Sequence, residues 1–142
     1  MADRPSVPLR LREEVVERAG SACEYCRFSQ HLSPDTFEVD HITPLAAGGR
    51  TESQNLCLAC PVCNAAKGSK TTGRDPITQR EVRLFHPRRQ SWYRHFEWSQ
   101  DNGCVVGRTT VGRATVATLK MNSPRLVHIR IMFAKLGLRP LG

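Results

Sequence analysis

The sequence predicts a small α+β protein, and three observations carry that expectation. Two Cys-x-x-Cys pairs, Cys23/Cys26 and Cys60/Cys63, bracket a segment in which a strand, a loop, a second strand and a helix start follow one another. An amphipathic helical pattern precedes the first pair. Beyond the second pair the chain turns strongly basic while keeping mixed strand and helix signals. A length of 142 residues suits one domain. The expected organisation is a single domain over residues 1–142, with a cysteine-bracketed core over 20–70 and a basic α/β extension over 71–142.

Each element has its own signal. Leu11, Val15 and Ala19 recur every four residues, which predicts a helix over 8–19 stopped by Gly20. Residues 27–35 read as loop. Residues 36–42 are β-rich, with Phe37 and Val39 as the apolar face, and the run 43–54 contains Pro44 and paired glycines. Residues 55–59 form a second short strand, and Pro61 opens a helix ending near Lys67. Residues 71–91 are polar, basic and irregular, and are expected to connect the two halves. Residues 92–98 and 103–107 are expected to pair as a hairpin across Ser99–Asn102 and Gly103. A helix over 110–120 is weakened by Gly112 and by several Thr and Val residues. The last helix has Ser123 as N-cap, Pro124 at N1, a stripe of Leu126, Ile129, Phe133 and Leu136, and Gly137 as its stop.

Composition excludes some classes and favours one kind of partner. No apolar run approaches the roughly 18 residues of a membrane span. The polar start MADRPSVPLR does not read as a signal peptide, so a cytoplasmic location is expected. Residues 1–70 hold 8 basic and 9 acidic side chains, whereas residues 71–142 hold 13 and 4, a net of +9 in the second half. Arginine supplies 17 of the 21 basic residues, and its planar fork matches phosphate oxygens. Such a half suggests a polyanion, most often nucleic acid. A merely solubilising surface is the plainer alternative.

Without a signal peptide, the cysteines favour a metal site over a disulfide framework. Two Cys-x-x-Cys turns can close a tetrahedral zinc site, so Cys23, Cys26, Cys60 and Cys63 are the expected structural Zn²⁺ ligands. Cys57 also lies three residues before Cys60 and could replace Cys63. The Cys60/Cys63 pair is preferred because Pro61 and the following N-A-A-K suit a turn entering a helix, and Cys57 alternates with Leu56 and Leu58 as a core thiol would. Cys104 is isolated, and packing is its expected role.

Between the knuckles lie Asp40, His41 and Asn55, followed by Asn64 and Lys67. The stretches C-E-Y-C, F-E-V-D-H-I-T-P-L-A-A-G-G, E-S-Q-N-L-C-L-A-C and P-V-C-N-A-A-K-G together resemble the HNH endonuclease family, whose core is a ββα-metal fold. The resemblance covers about residues 20–70 and continues weakly through L-F-H-P-R-R-Q-S-W-Y-R-H-F, G-R-A-T-V and M-N-S-P-R. It implies metal-dependent hydrolysis of DNA phosphodiester bonds, leaving 5′-phosphate and 3′-hydroxyl ends. His41 then matches the general base, a role its intrinsic pKa suits. Asp40 and Asn64 match the catalytic metal ligands, and Asn55 matches the amide that holds the His-bearing loop. The motif here reads H-N-N, so both ligands offer oxygen, which favours Mg²⁺ or Mn²⁺ at the catalytic position. Adjacent strand residues point to opposite faces, so Asp40 and His41 serve one site only if the strand ends or bulges there.

Lys67, Arg88, Arg89 and Arg94 are the expected DNA contacts, the last three lying among Trp92, Tyr93 and nearby histidines. The competing reading makes Trp92, Phe96 and Trp98 core residues and the arginines a solvated face. Two other functions compete with a nuclease. A non-catalytic zinc module that binds nucleic acid would share the cysteines and charge, but would not need Asp40, His41, Asn55 and Asn64 together. A redox protein using Cys-x-x-Cys would hold no stoichiometric zinc when reduced.

Overall fold

A computed structural model of the protein describes residues 7–138. Helix α1 runs Leu9–Arg18 and sinks Val15 completely, while Leu11, Val16 and Ala19 pack along the core's edge. It ends where Gly20 turns left-handed at φ 63°, a conformation glycine adopts without a Cβ clash. Strands β1 (Glu38–His41) and β2 (Leu56–Ala59) pair antiparallel, with Asp40 opposite Cys57 and His41 opposite Leu56. All four residues of β2 are buried, as a strand covered on both faces requires. Helix α2 (Pro61–Lys67) follows immediately, with Pro61 in its first turn, where a missing N–H costs nothing. Strand, loop, strand and helix thus follow in the order read from sequence, and the chain is α+β.

The second half departs from the sequence reading at three places. Residues 71–91 are not a plain connection. Strands β3 (Thr72–Arg74) and β4 (Glu81–Arg83) pair antiparallel across a turn at Asp75. The Asp75 carboxylate accepts from Ile77 N at 3.1 Å and Thr78 Oγ1 at 2.8 Å, and Arg113 closes on it with two bonds of 2.9 Å. The Asp-Pro turn between Thr- and Val-bearing runs was the available signal, outweighed by polar composition. Second, residues 92–95 form one helical turn, α3 (Trp92–His95), so the expected hairpin shortens to β5 (Phe96–Trp98) and β6 (Val105–Gly107).

The third departure is in the last helix. Helix α4 (Thr110–Thr118) is capped by Thr109, whose side chain accepts from Gly112 N. Gly112 is required there, since a Cβ would strike the carbonyl oxygen of His95. Helix α5 (Pro124–Lys135) begins after Ser123, but Ser123 makes no side-chain cap bond. Its expected apolar stripe is only partly used: Leu126 is buried and Leu136 is 72% exposed. Arg130 is buried instead, donating to Gly103 O at 3.0 Å and Met121 O at 2.7 Å beneath the Trp98 ring. Two carbonyls and an aromatic face offset part of the cost of burying this guanidinium, whose Nε has no hydrogen-bond partner among the described residues.

One apolar cluster joins both halves. Trp92 donates its indole N–H to Tyr25 O at 2.7 Å and stacks near Phe96, which meets Phe85 edge-on. Arg27 lies over the Trp92 ring, and Arg88 pairs with Glu24 of the first knuckle. Trp92 and Phe96 are therefore core residues, while Trp98 is half-buried. Among the described residues no helix is long and apolar enough to cross a membrane.

Candidate functional site

The first feature built by these elements is a thiol cluster. Cys23 and Cys26 lie in the turn after α1, Cys60 caps α2 and Cys63 sits in its first turn. Their four Sγ atoms lie within 4.8 Å of one another, all buried. Four sulfurs at about 2.3 Å from a tetrahedral ion stand about 3.8 Å apart. The Cys26–Cys60 Sγ separation is 3.7 Å. Each knuckle also points a backbone N–H at its first sulfur, Cys26 N to Cys23 Sγ and Cys63 N to Cys60 Sγ, both 3.4 Å. Such donors favour the charged thiolate. The donor set and spacing fit structural zinc.

Cys57 lies outside this cluster. Its Sγ is 3.9 Å from Asp40 Oδ2, directly across the β1–β2 register. Burial, with the Asp40 charge beside it, pushes the Cys57 thiol far above its ordinary value, so it stays a neutral S–H donor. Cys104 is partly exposed on the approach to β6.

Asp40 is held by a buried network. Tyr25, from the first knuckle, donates its hydroxyl to Asp40 Oδ2 at 2.9 Å. Burial first, then Cys57 and Asp40, raise the Tyr25 phenol and keep it a donor. Lys67 Nζ stands 3.1 Å from Asp40 Oδ2, 3.4 Å from Oδ1 and 3.0 Å from His41 O. Both side chains of this ion pair are nearly inaccessible, at 2% for Lys67 and 7% for Asp40. The ammonium therefore fills a position bounded by three oxygens.

His41 points to the other face of β1, and its Nε2 lies 2.9 Å from Thr51 Oγ1. Lys67 touches the Asp40 carboxylate and the backbone carbonyl of His41. Asn55 is buried just before β2 and reaches back across the loop. Its Oδ1 accepts from Thr43 N at 2.8 Å, and its Nδ2 donates to Thr43 O at 3.0 Å and Arg50 O at 2.8 Å. A Cβ on Gly49 would collide with the Thr43 carbonyl and crowd the Asn55 amide, so this loop closes only on glycine. Asn64 sits partly exposed on α2, one turn before Lys67.

The predicted cationic residues divide. Arg89 and Arg94 are exposed, whereas Arg88 is ion-paired with Glu24 and only 11% accessible. Burial lowers Arg88 to about 10, still charged at neutral pH. Its guanidinium joins the two halves rather than facing a ligand. Sequence reasoning missed Lys70 and Arg83, and placed His86 only among the histidines of the basic, aromatic run. With Lys67 and Arg89 they line a cleft of about 470 Å³ that also touches Ile42 and Thr43, just after His41. Only the folding of residues 71–91 into a hairpin brings Arg83 to that edge.

The sequence model of the HNH endonuclease family matches residues 23–70, about a third of the chain. Two curated relatives also match the chain. The "CRISPR-associated endonuclease Cas9" of Corynebacterium diphtheriae is 39% identical over 46% of this chain and 6% of its own length. The "Septu protein PtuB" of Bacillus thuringiensis is 25% identical over 86% of this chain and 45% of its own. The chain therefore spans less than half the length of either relative. No solved structure matches.

Proposed function

We propose that this protein is a metal-dependent endonuclease that hydrolyses DNA phosphodiester bonds, with His41 as general base. The observation that carries the reading is the Asn55 clamp. A buried amide making three bonds to the loop beside His41 fixes the approach to that imidazole, and zinc binding alone does not need it. The match of residues 23–70 to the HNH endonuclease family model supports the same reading.

In this reading His41 takes the proton from the attacking water, and Asn55 and Thr51 hold the loop and ring in place. Asp40 and Asn64 are the oxygen donors for a Mg²⁺ or Mn²⁺ ion, which when bound would supply charge neutralisation at the phosphate and the leaving oxygen. The Lys67 ammonium already lies against Asp40, which supports this as a place where positive charge is stable. Ion entry at Asp40 requires Lys67 to give way. Arg89 and Arg94 contact DNA, while Arg88 is withheld by Glu24 and Lys67, expected from sequence as a DNA contact, is withheld by Asp40.

The internal neutralisation of Asp40 favours one second reading, a zinc module that binds nucleic acid without cutting it. Supercoiled plasmid with Mg²⁺ or Mn²⁺ separates the two. Wild type should nick or linearise it, and His41→Ala at equal zinc content should not. Equal cutting by both removes His41 as the base, and DNA binding without cutting by either supports the second reading.

A further inference from the structure

We propose that the cleft between the loop after His41 and the β4–α3 connection is a phosphate track, and that the second half of the chain supplies its wall through Arg83, His86 and Arg89. The partner is the phosphodiester backbone of nucleic acid beside the bond to be cut. The inference rests on the proposed nuclease reading and adds a substrate surface from outside the matched segment.

Charge is the first argument. Lys67, Lys70, Arg83, His86 and Arg89 line the cleft, and among the described residues no carboxylate does. Arg88, Arg108 and Arg113 are each neutralised by an acidic partner. Arg83 and Arg89 have none among the described residues and stay exposed beside an opening of about 470 Å³. Cations left unpaired around a concavity attract a polyanion and release its counterions on binding.

His86 supplies the second, more specific argument. Its Nδ1 accepts the backbone N–H groups of Arg88 and Arg89, each at 3.2 Å. An accepting Nδ1 carries no proton, so the proton sits on Nε2 and this edge of the ring is a donor. Burial, then Arg89, keeps the imidazole below its ordinary value and hence neutral near pH 7. The turn around it is closed: Gln90 Oε1 accepts from His86 N at 2.8 Å, and Gln90 N donates to His86 O at 3.0 Å. A fixed N–H donor on a cleft lined by Arg83, Arg89 and Lys70 and, among the described residues, by no carboxylate suits a phosphate oxygen. Placement is the third argument. Ile42 and Thr43 follow His41 directly, and Lys67 belongs both to the cleft and to the Asp40 network.

The test is binding of a labelled 25-base-pair duplex across a salt series, in the His41→Ala protein so that no cutting intervenes. Removing Arg83 and Arg89 together should weaken binding roughly tenfold at moderate salt and lower the salt slope by about two. The charge-matched control Arg10→Ala/Arg80→Ala lies outside the cleft and should keep the slope. His86→Asn retains an acceptor for the two backbone N–H groups but loses the Nε2 donor. It should weaken binding several-fold with zinc content and melting temperature unchanged. Equal slopes for the two double variants would overturn the track, as would failure of the His41→Ala protein to bind any duplex. Should wild type cut no plasmid while the slope difference persists, the track stands and the hydrolytic reading falls. Cutting with equal slopes would mean the reverse.

Discussion

Two buried carboxylates, one in each half, are neutralised in different ways. Asp75 anchors the β3–β4 turn and is gripped by Arg113 through two bonds of 2.9 Å, with Ile77 N and Thr78 adding more. The planar fork matches the carboxylate edge to edge, and the Arg113 bonds hold Asp75 well below the usual carboxylate range. Asp40 is neutralised by the ammonium of Lys67, a point charge on a flexible stem at 3.1 and 3.4 Å, with one hydroxyl from Tyr25. A fork closed on both oxygens locks a turn. A single ammonium can be displaced by another cation. The first arrangement fixes a turn, and the second is the one that the proposed reading requires to exchange its positive charge.

The largest effect expected concerns the thiol cluster, which the second half lacks among the described residues. Zinc bound to four thiolates contributes folding energy of the order of 10 kcal/mol. Stripping the metal with a chelator, or making Cys60→Ser, should abolish the cooperative melt of the 20–70 core, read by near-ultraviolet circular dichroism alongside zinc content. An unchanged melt in metal-free protein would detach the knuckles from the stability of the fold.

Next comes the Asp40 pair. Lys67→Met leaves a buried carboxylate without its cation, a change costing about 3–5 kcal/mol. Added Mn²⁺ should restore part of that loss if Asp40 accepts a replacement cation. Arg113→Ala should gain nothing from the same addition. Recovery of both variants, or of neither, would erase the distinction between the two carboxylates.

The smallest effect at neutral pH is the acid dependence carried by Asp75. Its folded-state value is depressed, so the unfolded chain binds the proton more readily. The resulting stability is present above the ordinary carboxylate pKa and is lost as pH falls through the lowered folded value. Melting temperatures measured from neutral pH into strong acid should fall less steeply for Asp75→Asn than for wild type. Parallel curves would deny Asp75 its share of the acid transition.

Much of the first half was legible because its signals are local. Gly20 stops α1, Pro61 starts α2, and alternating Phe37 and Val39 mark the strand before His41. The second half hid a hairpin in polar text. Thr72–Arg74 and Glu81–Arg83 carry little apolar periodicity, and they are ordered by the Asp75 turn and by Arg113, 38 residues downstream. Arg130 shows the same limit within α5, where a charged residue took the buried position that periodicity assigned to apolar neighbours, because two carbonyls and Trp98 were waiting there.

The spacing of Cys23, Cys26, Cys60 and Cys63 and the order of Asp40, His41, Asn55 and Asn64 are properties of the sequence alone, since turn geometry and donor chemistry act over a few residues. Which cysteine stands apart, which arginine is withheld and what neutralises Asp40 were decided only when distant elements met. Cys57 was removed from the cluster by the β1–β2 register, and Arg88 by the docking of its loop on Glu24. Lys67 was turned inward by α2 lying along β1. The physical reason is the same in each case. Burial makes an unpaired charge costly, so the partner a residue finds in three dimensions, not its neighbours in the chain, fixes its role.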